Sequence, residues 1–339
     1  MKHLLWLFAP FALLIHGVLT IRHLLFDTGI WKQSIPKSPS IGIGNLSVGG
    51  TGKTPLVIYL AQQFQKKDTT VISRGYGRKS KGFLEVENPG SALQFGDEPI
   101  EIKQSTSARV VVCESRVAAL QRIPTTPNSL LIFDDVWQHR HVQPKVKILT
   151  STFQNPFFND LLFPLGSLRD LKKRSQVANI ILITKSPKNI PEKSRQAFHK
   201  NISYQPFFFT HLKYAFTWAN TDQNASLSTT VQHLVLTGIA QPKPLYDELD
   251  LRAIQFQEAR FADHHNFSTA EIGSILSKFT KFAKPESCIL TTQKDWVRLE
   301  TAHRDQILAC TQVCIVTIQI GFENTAKEKE FLEIINVAL

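Results

Sequence analysis

Short apolar runs recur along the first part of the chain, at 40–44, 69–73, 109–113, 130–134, 146–150 and 179–184. Stretches with helical spacing separate several of them, at 54–67, 97–104 and 115–122. Continuous apolar strands, unlike alternating ones, are buried on both faces, so this pattern predicts a parallel sheet covered by helices on either side. Functional residues then belong at the carboxyl ends of the strands. Residues 204–218 are aromatic and extended and lead into the polar stretch 219–228, which reads as an interdomain ribbon and hinge. A second α/β unit starts at His233, with strands near 253–257, 287–292 and 312–319, and Lys327 to Val337 reads as an amphipathic helix.

The N-terminus breaks this pattern. Leu4 to Ile15 is apolar except for Pro10, and the run continues past His16 to Ile21. Eighteen helical residues span about 27 Å, just short of a hydrocarbon core of about 30 Å. No small-x-small cleavage site follows the run. The reading is an anchor that dips into a membrane, with Trp6, Arg22, His23 and Lys32 near the interface; the alternative is a hairpin packed on the core.

Composition narrows the class without choosing a function. The 339 residues are 42% apolar, enough for two domains with cores of their own. Lys+Arg exceed Asp+Glu by 39 − 28 = +11, which favours an anionic partner such as nucleic acid, anionic lipid or a phosphorylated substrate. Cys113, Cys288, Cys310 and Cys314 have no metal-like spacing and read as free thiols in a reducing compartment.

The chemistry begins at Ser40-Ile-Gly-Ile-Gly-Asn-Leu-Ser-Val-Gly-Gly-Thr-Gly-Lys-Thr-Pro55, a strand, a glycine-rich loop and a helix start. Successive N–H groups from Ser47, Val48, Gly49, Gly50, Thr51 and Gly52 can cradle nucleotide phosphates. Lys53 supplies a mobile positive charge and the Thr54 hydroxyl suits a Mg²⁺ ion. Ser47 stands where the usual pattern has glycine. The apolar strand 130–134 ends in Asp134-Asp135, where phosphate-loop enzymes place a carboxylate for Mg²⁺. Ser73-Arg-Gly-Tyr-Gly-Arg78 leaves another strand end, and Arg74 and Arg78 could clamp phosphate. Asp97 starts a helix, so it could act chemically or simply cap. His139 and Arg140 are candidate phosphate or substrate contacts. In Phe261-Ala-Asp-His-His-Asn-Phe267 a histidine beside a carboxylate suits a general base.

Together these segments resemble the tetraacyldisaccharide 4′-kinase family, the lipid A 4′-kinases. The resemblance runs from the apolar N-terminus to about residue 299. It is carried by residues 44–55, Ser73-Arg-Gly-Tyr-Gly77, Gly96-Asp-Glu-Pro99, Asp134-Asp-Val-Trp-Gln-His139, Leu165-Gly-Ser-Leu-Arg169, Thr237-Gly-Ile-Ala240, Phe261-Ala-Asp-His264 and Leu290-Thr-Thr-Gln-Lys-Asp295. The family also has serine or threonine at Ser47. It implies transfer of the γ-phosphate of ATP to the 4′-hydroxyl of tetraacyldisaccharide 1-phosphate, giving lipid IVA, at the cytoplasmic face of a Gram-negative inner membrane. It further implies a phosphate-loop α/β/α domain over 36–203, a ribbon hinge over 204–228 and a smaller α/β domain over 229–339, behind a membrane-associated segment, 1–35. By position, Lys53 and Thr54 take the phosphates and Mg²⁺, and Asp134 and Asp135 lie near the metal. Asp97 is the base and His264 supports it, brought in by closure of the second domain. Arg74, Tyr76, Arg116, Gln138, His139 and Arg169 match substrate or transition-state positions. Two departures stand out: Val136-Trp137 replaces Gly-Phe, and Asp170-Leu171 replaces Glu-Pro.

Three other classes compete. A membrane-associated ATPase switch of the MinD/ParA kind would carry a lysine where Val48 stands. A GTPase would want Asn-Lys-x-Asp, which neither Thr184-Lys-Ser-Pro187 nor Gln293-Lys-Asp-Trp296 supplies. A nucleic-acid binder has only the charge in its favour.

Overall fold

The computed structural model describes residues 8–339 apart from Pro89, Ser203, Asp222 and His264. The strands are β1 (Ser40–Asn45), β2 (Asp68–Ser73), β3 (Leu84–Glu85), β4 (Arg109–Val112), β5 (Ser129–Phe133), β6 (Val146–Thr152), β7 (Ile180–Thr184), β8 (Phe207–Trp218), β9 (Gln232–Thr237), β10 (Gln255–Arg260), β11 (Ile289–Thr292) and β12 (Val313–Phe322). They form one sheet in the order β10-β9-β11-β12-β8-β7-β6-β1-β5-β2-β4-β3. Every residue of β1, β5 and β7 is buried, as two-sided coverage requires.

The pairing from β7 to β4 is parallel throughout, with β1 between β5 and β6. The loops after β1 and β5 therefore leave the same sheet edge side by side. Packing brings them closer. A side chain at Gly44 would put its Cβ 2.5 Å from Trp137 Cβ, so β1 stays bare where the turn after β5 crosses it.

The expected ribbon is not local. β8 pairs parallel to β7 through Phe207–Phe209, then antiparallel to β12 from Thr210 to Trp218. Its second strand thus comes from nearly a hundred residues downstream, and one long strand carries the chain from one half of the sheet to the other. The last helix, Thr325–Ala338, was expected with the second unit. It packs on the first: Phe331 and Ile335 share a buried cluster with Ile41, Leu56 and Val57.

The helix Ala9–Asp27 leaves most of its apolar surface bare, with Phe11, Leu14, Ile21 and Leu24 about 60% exposed. A core hairpin would bury them, so the hairpin alternative fails. Its C-terminal end behaves differently. His23, expected near a membrane interface, is buried, and its Nε2 lies 2.6 Å from Asp170 Oδ1. Arg22 donates to the Gln138 carbonyl at 2.5 Å. Trp6 lies outside the described residues.

Candidate active site

The loop after β1 is held open by its glycines and braced from below. Gly49 (φ 108°) and Gly52 (φ 80°) take left-handed backbone that favours glycine, and Gly52 starts the helix Lys53–Gln63. Thr51 meets Thr150 Oγ1 at 2.8 Å, and Thr184 Oγ1 donates to the Thr51 carbonyl at 2.9 Å. The carboxyl ends of β6 and β7 thus hold the loop. The Val48 amide donates to the Ser167 carbonyl, and Ser47 bridges to Leu168. That contact brings Arg169 to the loop.

Lys53, Asp135, Arg169 and Asn45 form one network. Arg169 grips both oxygens of Asp135, at 2.5 and 3.2 Å, and also donates to Asn45 Oδ1. Lys53 Nζ lies 3.4 Å from Asn45 Oδ1 and 3.7 Å from Asp135 Oδ1. Burial works against the ionised Asp135, but Lys53 and Arg169 outweigh it and hold the carboxyl below its usual range.

Asp134 is different. It is fully buried beside Ser73, whose Oγ donates to Oδ2 at 3.1 Å, while Oδ1 has no partner. Burial, Glu98 and Asp135 push its pKa up to about 7. An orphaned carboxylate oxygen under a phosphate loop fits a hard cation, which keeps most of its ligands from phosphate and water. Among the described residues no trio of His, Cys, Asp or Glu converges as a cage. Arg116 is completely buried and braces the turn from behind, donating to the Asp134 carbonyl at 3.0 Å.

The substitution of Val136-Trp137 for Gly-Phe has a physical answer. The left-handed residue in this turn is Asp135 (φ 46°), not Val136. Val136 and Trp137 are both buried, and the Val136 amide donates to the Ile43 carbonyl. Gln138 Nε2 donates to the Asn45 carbonyl at 3.0 Å. Burial, then Arg116 and Arg74, push His139 down to about 4, so it is neutral at pH 7.

Asp97 does not cap its helix. Gly96 occupies the cap position with no side-chain bond, and Asp97 Oδ2 accepts from Arg298 Nε at 2.7 Å. Arg298 also donates to the Gly238 carbonyl at 2.6 Å and lies 3.0 Å from Asp295. Gln293 donates to Gln104 at 2.7 Å. These contacts form a polar seam between the helix Asp97–Ser105 and the second half of the sheet. Arg298 carries no mark in the sequence beyond its nearness to Gln293-Lys-Asp295. After β2, Arg74 and Tyr76 are exposed, whereas Arg78 is taken by Glu114 at 2.5 Å. His264 lies outside the described residues.

Two carboxyls here carry a pH signature. Asp134 and Glu101 are both pushed up to about 7, Glu101 by burial and then by Glu98. Unfolded, they titrate near pH ~4. The folded chain binds these protons more tightly, so this contribution to stability falls as pH rises from about 4 to about 7. Asp134→Asn should therefore stabilise the nucleotide-free protein, raising its melting midpoint by roughly 2–4 °C at pH 8 and by less at pH 5. Thermal denaturation at the two pH values checks this, and an equal shift at both would remove the buried charge as its cause.

Known proteins resemble this chain over nearly its whole length. Residues 4–336 match the family described as tetraacyldisaccharide-1-P 4′-kinase, LpxK. The chain is 34% identical over 300 residues to the tetraacyldisaccharide 4′-kinase of Flavobacterium johnsoniae, covering 86% of each chain. It is 34% identical over 324 residues to that of Cytophaga hutchinsonii, covering 93% of this chain and 91% of the relative. The crystal structure of LpxK from Aquifex aeolicus in complex with ATP superposes with a TM-score of 0.73 at 25% identity, over 98% of this chain and 99% of that one. On a match that spans nearly every residue, in sequence and in fold, the chain belongs to the tetraacyldisaccharide 4′-kinase family.

Proposed function

We propose that this enzyme transfers the γ-phosphate of ATP to the 4′-hydroxyl of tetraacyldisaccharide 1-phosphate, giving lipid IVA in lipid A biosynthesis. The observation that carries the reading is the convergence of Lys53, Asp135 and Arg169 at the glycine loop, within a chain that matches the family end to end. An ATPase switch has no use for the Asp97 side of the site, and it would carry a lysine where this chain has Val48.

The loop amides and Lys53 hold the phosphates. Lys53 and Arg169 lie where they can neutralise charge on the transferred group, which is most of what phosphoryl transfer requires of a protein. Thr54, Asp134 and Asp135 would hold Mg²⁺, with the bare Asp134 oxygen the best placed, and the ion would offset further phosphate charge. Asp97 accepts the proton of the sugar hydroxyl as its oxygen bonds to phosphorus and the bond to ADP breaks. His264 supports Asp97, while Arg74, Tyr76, Arg116, Gln138 and His139 shape the acceptor side. The domains divide near 204–228, and β8 serves as the hinge.

The membrane is the inner membrane of a Gram-negative cell, at its cytoplasmic face. The exposed apolar side of the helix Ala9–Asp27 and the +11 charge suit an acyl-anchored, anionic acceptor. Deleting residues 1–20 should release the protein from membranes in flotation assays, and a truncated form still bound at moderate salt would place the anchor elsewhere.

The direct test is ATP turnover in detergent micelles with and without the lipid disaccharide, following label from the γ-phosphate. Label on the 4′-oxygen is expected. Robust hydrolysis that ignores the lipid, or an unlabelled sugar, overturns the kinase reading.

A further inference from the structure

A cavity of about 240 Å³ lies under the last turn of the helix Ala9–Asp27. Phe26 and Asp27 form one side, and Gly42 of β1 and Lys147 of β6 form the floor. The short helical segment Lys172–Val177 closes it with Arg174. Val136, Trp137 and His139 form the remaining wall. These belong to the turn whose Asp134 and Asp135 face the nucleotide loop, so the cavity backs directly onto the ATP site.

Its charges do not balance internally. Arg140 is paired, donating to Asp27 Oδ1 at 2.6 Å and to the His23 carbonyl at 3.0 Å, with its guanidinium 4.8 Å from the Phe26 ring centroid, although its Nε is buried without a partner. Asp170 is taken by His23. Arg174 and Lys147 remain, and among the described residues neither side chain has a hydrogen bond or ion pair. Arg174 Nε is buried without a partner. Burial and Arg140 push Arg174 down, and burial, Arg174 and Arg140 push Lys147 down. Asp170 and Asp27 oppose this at Arg174 but not at Lys147, and two such cations facing one cavity are costly unless a further anion joins them.

We propose that this cavity binds a phosphate monoester, held by Arg174 and Lys147. Such a group carries about −1.5 to −2 charge near pH 7, which matches the excess, and its oxygens suit a guanidinium fork. The exposed apolar helix above the cavity would set it at headgroup level, so the phosphate arrives on a lipid. On the kinase reading above, on which only the carrier's identity rests, that lipid is the acceptor and the group is its 1-phosphate. The acceptor would then bridge the turn, its reacting hydroxyl on the ATP side and its phosphate in the cavity.

Binding is tested first without catalysis. The full-length protein in micelles, its loop filled with a non-hydrolysable ATP analogue, is titrated calorimetrically with N-acetylglucosamine 1-phosphate and with N-acetylglucosamine. Only the phosphate should bind, and Lys147→Ala/Arg174→Ala should weaken it by about 10- to 100-fold, the scale of lost charge-assisted hydrogen bonds. Lys147→Arg/Arg174→Lys should retain most binding and controls for folding. Unchanged binding in the alanine variant overturns the site. In turnover, the alanine variant should raise the acceptor KM by a similar factor, leave the KM for ATP alone, and lose its penalty on an acceptor lacking the 1-phosphate. A penalty that follows phosphatidic acid in the micelle instead supports the phosphate site with a phospholipid headgroup as occupant. An equal penalty on both acceptors at every micelle composition overturns the proposal. Sugar-phosphate binding that behaves as expected in a protein with no kinase activity supports the site and sinks the kinase reading alone.

Discussion

Asp97→Ala should lower kcat by about 10²- to 10⁴-fold, the usual worth of a positioned general base, and leave the KM for ATP within a factor of a few. The geometry makes the test more demanding than the sequence suggests. Asp97 is paired with Arg298 at 2.7 Å, and Arg298 is anchored to Gly238 and Asp295. Alanine therefore removes a base and a fastener between the two halves of the sheet. Asp97→Asn separates the two roles: its amide oxygen still accepts from Arg298, but it cannot take the hydroxyl proton. Both variants should be slow in single turnover with ATP bound, and only alanine should lower the melting midpoint. An asparagine variant with near-normal turnover would make Asp97 a structural tie and move the base elsewhere.

The parts of this site that were legible in the sequence are those with local causes. A strand, a glycine loop and Lys53-Thr54 lie within sixteen residues, and each glycine reports on its own backbone. Asp134-Asp135 at a strand end is equally local. The rest depends on partners far along the chain. His23 looks like an interfacial histidine on an apolar helix until Asp170 arrives 147 residues later to bury it. Arg298 is an unremarked residue in a short helix, and its importance lies in Asp97, 201 residues away. The extended aromatic segment 204–218 does not disclose that its antiparallel partner is β12. Val136-Trp137 in place of Gly-Phe takes a glycine out of the turn after β5. Only backbone angles reveal that the strained position is Asp135, one residue earlier.

Arg169→Ala is the second large effect, with kcat expected to fall about 10³-fold or more, as when a phosphoryl-transfer enzyme loses a transition-state arginine. The Arg169 guanidinium is engaged with Asp135 and Asn45, the same two groups that hold Lys53. Bound phosphate offers Lys53 and Arg169 a stronger partner than either has now, because it brings more negative charge than Asp135 alone. Both cations can turn toward it, and the charge they stabilise grows as the γ-phosphoryl group leaves ADP. Arg169→Lys should recover only part of the rate, since an ammonium cannot bridge two carboxylate oxygens and keep its aim. The neighbouring pair gives the control. Asp170 is locked to His23 and sets the direction of the chain at Arg169, so His23→Ala should slow turnover less than Arg169→Ala and leave Arg169→Ala no worse when combined with it. Strict additivity of the two in kcat would mean that His23 and Arg169 act independently, and that the buried pair does not position the arginine.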